Sequence, residues 1–306
     1  MSHALVVGEA LVDIVYRADG SEDRVPGGSP ANVALTLARL GRDAELLTHL
    51  GTDEPGAAVA AHLAASGVTL APGSTDAART SAATAVLDAD GAATYVFDLA
   101  WHVSPAAAPR PAPAVLHTGS IAAVIEPGAT DVRRLAAELR SEATITYDPN
   151  ARPALMGTAD EARPVIESMV ALSDVVKVSD EDLAWLAEGQ TPEEVCQAWV
   201  ALGPAVVIVT RGGDGASAFL ASGERVDVPA PAVTVVDTVG AGDSFMGGLI
   251  DGLWSAGLLG ASHRDALRSL SPATLKPILE RCARIAAVTV SRAGANPPTS
   301  AELGEA

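Results

Sequence analysis

Val236-Asp-Thr-Val-Gly-Ala-Gly-Asp-Ser-Phe-Met-Gly-Gly248 decides how the rest of the chain is read. Gly240-Ala241-Gly242 suits a turn whose backbone N–H groups converge, and residues 243–254 read as a helix opening from it. The first N–H groups of a helix lack partners, and the peptide dipoles add partial positive charge. A glycine-led helix start is therefore an anion site. Into it the sequence places a carboxylate, Asp243. On spacing alone two roles stand level. Either Asp243 caps its own helix, or the amides hold a transferring phosphoryl group while Asp243 takes a proton from the attacking hydroxyl. A carboxylate with an ordinary pKa of about 3.9 is ionised at neutral pH, so it can act as that base.

Outward from this motif, short β-branched runs alternate with longer amphipathic ones. Residues 5–7, 114–116, 144–147, 175–178 and 206–209 read as buried strands. Residues 30–40 read as a helix, with Ser29 as its cap, Pro30 in its first turn and Gly41 past its end. Residues 131–139, 180–187 and 281–290 repeat the pattern. Alternating strands and helices predict a mainly parallel sheet covered on both faces, with the ligand at the carboxyl ends of the strands. Residues 80–103 depart from the rhythm: two alternating strands around 83–87 and 94–97 flank a hairpin turn, Asp88-Ala-Asp-Gly91. With residues 14–25 they predict a small sheet standing off the main body, either a surface hairpin or a moving lid. Residues 104–113 read as a connector.

Composition narrows the field. The chain has 306 residues with 20 basic and 38 acidic side chains, a formal net charge of −18. That charge repels nucleic acid and anionic membrane, and no basic stripe offsets it. Two cysteines, Cys196 and Cys282, far apart in sequence, predict neither a zinc site nor a disulfide framework. Glu9 and Asp13 interrupt the first apolar stretch, which reads as a strand, not a signal peptide, so a cytoplasmic location is expected. There is no G-x-x-x-x-G-K-[ST] phosphate loop, and Phe245 stands where a dinucleotide fingerprint needs its third glycine.

Asp237-Thr-Val-Gly-Ala-Gly-Asp243-Ser-Phe resembles the C-terminal signature of the ribokinase/PfkB family of carbohydrate kinases, and Gly27-Gly-Ser-Pro-Ala-Asn32-Val-Ala-Leu resembles the N-terminal one. Both stand in the family's order, and the likeness runs along nearly the whole chain. The resemblance implies a three-layer α/β/α domain over residues 1–306, with a mainly parallel sheet and a small β-sheet lid at about 14–25 and 80–103. It also implies Mg²⁺-ATP-dependent phosphorylation of a sugar hydroxyl. Carried over by position, Asp243 is the catalytic base and Gly240, Ala241 and Gly242 form the anion hole. Asp13, Gly27, Gly28 and Asn32 hold the sugar. Thr210, Gly212 and Gly215 lie on the nucleotide side, together with Lys177. The family's N-x-x-E element appears as Ser179-Asp-Glu-Asp182, which leaves Asp182 as the metal-linked candidate. A K⁺ site would use Asp237 and backbone near Val239 and Gly294, although Pro298 replaces a serine ligand found in some ribokinases.

Gly8-Glu-Ala-Leu-Val-Asp13 and Asp148-Pro-Asn150-Ala-Arg152-Pro resemble the fructokinase-like and 2-keto-3-deoxygluconate kinase branches. Asn150 and Arg152 thereby join the expected sugar site. Arg152 or Arg79 would meet a carboxylate if the substrate were a keto-acid. Fructose is the expected sugar, and 2-keto-3-deoxygluconate is the alternative. A catalytically silent sugar-binding regulator on the same fold is the reading from another class. An exposed lid sheet could pair with a second copy, so a homodimer is also an expectation.

Overall fold

The computed structural model describes residues 2–16, 21–87, 93–103 and 111–305. Among them, nine strands form the main sheet and four form a smaller one. In chain order the strands are β1 (Ala4–Val7), β2 (Leu11–Tyr16), β3 (Glu22–Gly27), β4 (Ala44–Leu47), β5 (Thr69–Leu70), β6 (Ala82–Leu87) and β7 (Ala93–Asp98), followed by β8 (Val115–Gly119), β9 (Thr144–Asp148), β10 (Val175–Ser179), β11 (Val206–Thr210), β12 (Ala216–Leu220) and β13 (Arg225–Val228).

The main sheet runs β13-β12-β11-β10-β9-β8-β1-β4-β5. It is parallel from β5 to β11, and β12 and β13 close one edge in antiparallel fashion. The central parallel strands are buried on both faces because helices cover both. In β1, Ala4 and Val6 pack into one buried cluster and Leu5 and Val7 into the other. The first cluster contains the helices Ser29–Arg39, Ala241–Ser255 and Pro272–Val290, and the second contains Gly128–Leu139, Ala159–Leu172 and Pro192–Leu202. After β1 the chain builds outward through β4 and β5, then returns to β8 on the other side of β1. The order of strands thus reverses between β1 and β8, where an open α/β sheet leaves a crevice.

The small sheet runs β3-β2-β6-β7, with β2 and β6 parallel and the outer pairs antiparallel. It is wider than the expected 14–25, because pairing begins at Leu11 and ends at Gly27. That places Asp13 within β2 and Gly27 at the end of β3. The expected turn at 88–91 and most of the expected connector at 104–113 lie outside the described residues. Among the described residues, no helix is long and apolar enough to cross a membrane.

Candidate active site

The decisive helix starts two residues earlier than the apolar pattern predicts, spanning Ala241–Ser255. Its N-cap is Gly240, in the left-handed region at φ 75°. A Cβ there would lie 2.6 Å from the Ala295 Cβ, so only glycine fits. Asp243 therefore falls in the first turn and does not cap. Its buried carboxylate leaves the helix and meets the Ser29–Arg39 helix: Ser29 Oγ donates to Oδ1 at 2.7 Å and Asn32 Nδ2 to Oδ2 at 2.8 Å. This corrects the reading of Ser29 as a cap. The N-cap is Gly28, without a side-chain cap, and Ser29 is free to clamp a residue from the far end of the chain. The amides of Gly242 and Asp243 stand where no preceding helical carbonyl reaches them.

Beneath that turn, Lys177 on β10 donates to Asp148 Oδ2 at the end of β9, at 2.8 Å. Both side chains are buried. A Cβ on Gly242 would lie 2.8 Å from Lys177 Nζ, so the glycine leaves room for the ammonium under the helix start.

A second group of residues lines the lid side. Gly27 has no Cβ to obstruct the Asp13 carboxylate, which lies directly over it. Gly28, at φ 107°, packs its bare Cα against the Glu9 carbonyl, a contact that any side chain would break. Burial pushes Asp13 up to about 6, with Arg152 pulling it back. Arg152 is exposed, and one of its guanidinium nitrogens donates to the Asn150 carbonyl, the Asn150 Oδ1 and the Ala151 carbonyl, at 3.0, 2.7 and 2.9 Å. Asn150 takes a left-handed φ of 37°, and so does Ser120 at 52°, each just past the end of a neighbouring strand. Non-glycine residues held there carry strain that commonly accompanies a binding site. The other candidate cation, Arg79, pairs with Asp98 of the lid.

Glu9 escaped the sequence reading as a site residue. It is 5% exposed, and its Oε2 has no hydrogen-bond partner. Burial pushes its carboxyl up to about 7 against the Ser120 hydroxyl and Arg152, which lower it. Between the ordinary value of 4.5 and 7 the folded chain holds a proton that the unfolded chain has released, so stability declines as pH rises through that window. Glu9→Gln, neutral throughout, should exceed the wild type by about 3 kcal/mol at pH 8 and match it at pH 4. Denaturant melts at both pH values test this. An equal difference at the two would remove buried charge as the cause.

On the opposite side, Thr210 ends β11, and Gly212-Gly-Asp214 forms a single 3-10 turn into β12. Gly215, at φ 88°, is required by the close approach of the Val228 carbonyl. Gly212 is exposed, and so are Val233, Val235, Val236 and Val239 in the coil that leads to Gly240. These valines carried no periodic signal. The amides of Val236 and Asp237 tie the coil to the Val290 carbonyl at the end of the Pro272–Val290 helix, at 2.8 and 3.2 Å, while the valine side chains stay exposed.

Two expected metal positions look different in the structure. Asp182 accepts from its own capping partner, Ser179 N, at 3.3 Å and from Ala151 N at 2.9 Å. Its carboxylate thus pins the Asn150–Arg152 loop to the Asp180–Leu186 helix. Asp237 accepts from Val239 N at 3.0 Å and from Gly294 N at 2.9 Å, which brings together the three positions expected around a monovalent cation. Among the described residues, no group of three His, Cys, Asp or Glu could hold a metal by itself. The arrangement fits a divalent ion carried by nucleotide phosphates better than a cage made of protein ligands.

The pfkB family carbohydrate kinase model matches residues 1–302. The chain belongs to that family. This carbohydrate kinase is 33% identical over 275 residues to a fructokinase of Klebsiella pneumoniae, covering 87% of this chain and 88% of the relative. Its structure matches a fructokinase from Vibrio cholerae O395, described with fructose, ADP and calcium bound, at 28% identity and a TM-score of 0.80, covering 96% of this chain and 94% of that one. A fructokinase from Xylella fastidiosa with bound ATP shares the fold at a TM-score of 0.85 and 24% identity, covering 99% and 97%. The carbohydrate kinase thus has the three-layer α/β/α fold with a small sheet that its two signatures imply.

Proposed function

We propose that this ATP-dependent sugar kinase transfers the γ-phosphoryl group of ATP to a primary hydroxyl of fructose. The observation that carries the reading is Asp243, a buried carboxylate in the first turn of a glycine-led helix, clamped by Ser29 and Asn32. The sugar lies between the lid and the switch point. Asp13, Asn150 and the free amide oxygen of Asn32 meet its hydroxyls, and Gly27 and Gly28 let it approach the backbone. Arg152 stands at the rim. The reacting hydroxyl points at Asp243, which takes its proton as the oxygen bonds to the γ-phosphorus and the bond to the β-phosphate oxygen breaks, releasing ADP.

Amides at Gly240, Gly242 and Asp243 face the charge that builds on the phosphoryl oxygens, with Lys177 beneath them, while the expected Ala241 amide donates to the Thr238 carbonyl at 3.3 Å. Thr210, Gly212 and Gly215 border the nucleotide, and the exposed valines of the 233–239 coil offer its base an apolar seat. Mg²⁺ bound with ATP neutralises phosphate charge. The Asp237 loop is the seat for K⁺. Lid closure over the sugar excludes water, so that ATP is not hydrolysed instead.

The choice of a neutral sugar over a keto-acid rests on charge. Glu9, Asp13, Asp148 and Asp243 crowd the site, and of the two candidate arginines Arg79 is occupied by Asp98, which leaves Arg152 to meet a carboxylate. ADP release from Mg²⁺-ATP should be fastest with fructose across a panel that includes 2-keto-3-deoxygluconate, ribose, glucose and tagatose. A preference for the keto-acid would overturn the assignment of fructose, and sugar binding without turnover would overturn the kinase reading.

A further inference from the structure

The Lys177–Asp148 pair is sealed beneath the phosphate seat, with side chains 4% and 1% exposed. The placement is costly by itself. An ammonium there has lost its water, and it faces the positive end of the Ala241–Ser255 helix. Burial would lower its proton affinity, but Asp148 foremost, then Asp182 and Asp243, outweigh burial and keep it charged. The remaining neighbour on this face, His117 of β8, is held neutral down to about pH 3, by burial first and by Lys177 second. Asp148 is the carboxylate that touches the ammonium, and its other oxygen, Oδ1, is buried without a hydrogen-bond partner. Its position at the end of β9 keeps it below the ammonium, while Gly242 lies above it. No step of the proposed reaction uses Asp148.

We propose that Asp148 is a positioning residue for phosphoryl transfer, fixing the Lys177 ammonium against the Gly242–Asp243 turn where the γ-phosphate is seated. The inference rests on the reading of that turn as the phosphate seat. Asp148 touches no substrate, and its effect passes through Lys177.

A double-mutant cycle in the full-length kinase tests it, with kcat and both KM values measured at saturating partner substrate. Lys177→Met should lower kcat about 10²-fold, the scale of losing one donor to a developing oxyanion. Asp148→Asn should lower kcat by a similar factor with the sugar KM within about threefold of wild type. In the Lys177→Met background, Asp148→Asn should cost nothing further. Multiplying losses, or a sugar KM that rises in step with the fall in kcat, would overturn the positioning role while leaving the phosphate seat intact. A wild-type kcat in Lys177→Met would instead overturn the placement of Lys177 at the seat. If Asp148→Asn does not fold, Asp148→Ser, which leaves room for a water beside Nζ, takes its place in the cycle.

Discussion

Asp243→Asn should lower kcat by about 10³- to 10⁴-fold, the upper range for losing a positioned proton acceptor, while the affinity for ATP stays near that of the wild type. The fold should survive. An asparagine can accept from Asn32 through its oxygen and donate to Ser29 through its amide, because the serine hydroxyl turns to suit. What disappears is the lone pair that receives the hydroxyl proton. Isothermal titration with a non-hydrolysable ATP analogue, alongside coupled ADP release, separates the two effects. Turnover within tenfold of wild type would remove Asp243 from the chemistry and leave it as a clamp between two helices.

The next largest effect is expected at Asp13. Asp13→Ala should raise the sugar KM by about 10²-fold, because hydrogen bonds between sugar hydroxyls and a charged acceptor contribute about 1.5–3 kcal/mol each. The KM for ATP should barely move. Burial raises this carboxyl to about 6, with Arg152 opposing, so in the free enzyme it becomes protonated as pH falls through 6. The acceptor is lost with that proton, and kcat/KM for the sugar should fall on the acid side of that value. In Asp13→Asn that limb should become shallower, leaving the part that comes from Asp148, whose carboxyl burial also raises to about 6. A KM that stays put, or an acid limb unchanged in Asp13→Asn, would place the sugar elsewhere.

Much of the architecture is written locally. Strands such as Val206–Thr210 are buried on both faces, so the four positions Val206 to Val209 are apolar, and a short β-branched run between breakers has few other homes. In β6 the pattern alternates, with Ala83 and Ala85 buried and Ala82 and Thr84 partly exposed, because one face of the small sheet is covered and the other is not. Two helices are longer in the structure than the sequence pattern predicts, or missing from that pattern, for a shared reason. Pro164 sits inside Ala159–Leu172 and Pro277 inside Pro272–Val290, where a proline reads as a stop but packing against the sheet holds the helix through it.

The site divides along the same line. Gly240, Ala241, Gly242 and Asp243 are contiguous, so a glycine-led helix start is legible locally, while spacing alone leaves Asp243 between a cap and a base. Ser29 looks like a cap, because a serine before an apolar run usually is one. Its partner Asp243 stands on another helix, and no local pattern could reveal that contact. Asp182 is the reverse case: Ser179-x-x-Asp182 has the form of a capping box, and that is the role the structure gives it. Glu9 and Asp148 lie inside stretches that carry the family resemblance, yet neither stands out as a site residue, since a carboxylate just past a strand is ordinary until its burial is known.

The clamp on Asp243 has a consequence for how the protein comes into being. The hydrogen bonds from Ser29 and Asn32 span 214 and 211 positions of the chain. A ribosome must therefore deliver more than two hundred further residues after Ser29 before that contact can close. Such distant pairings form late and slow the search for the native state. The amino-terminal strands and the lid can assemble early, but an amino-terminal fragment contains no Asp243 to hold. Appearance of phosphotransfer during synthesis would thus time the final docking of the carboxyl-terminal helices, well after the first compact structure has formed.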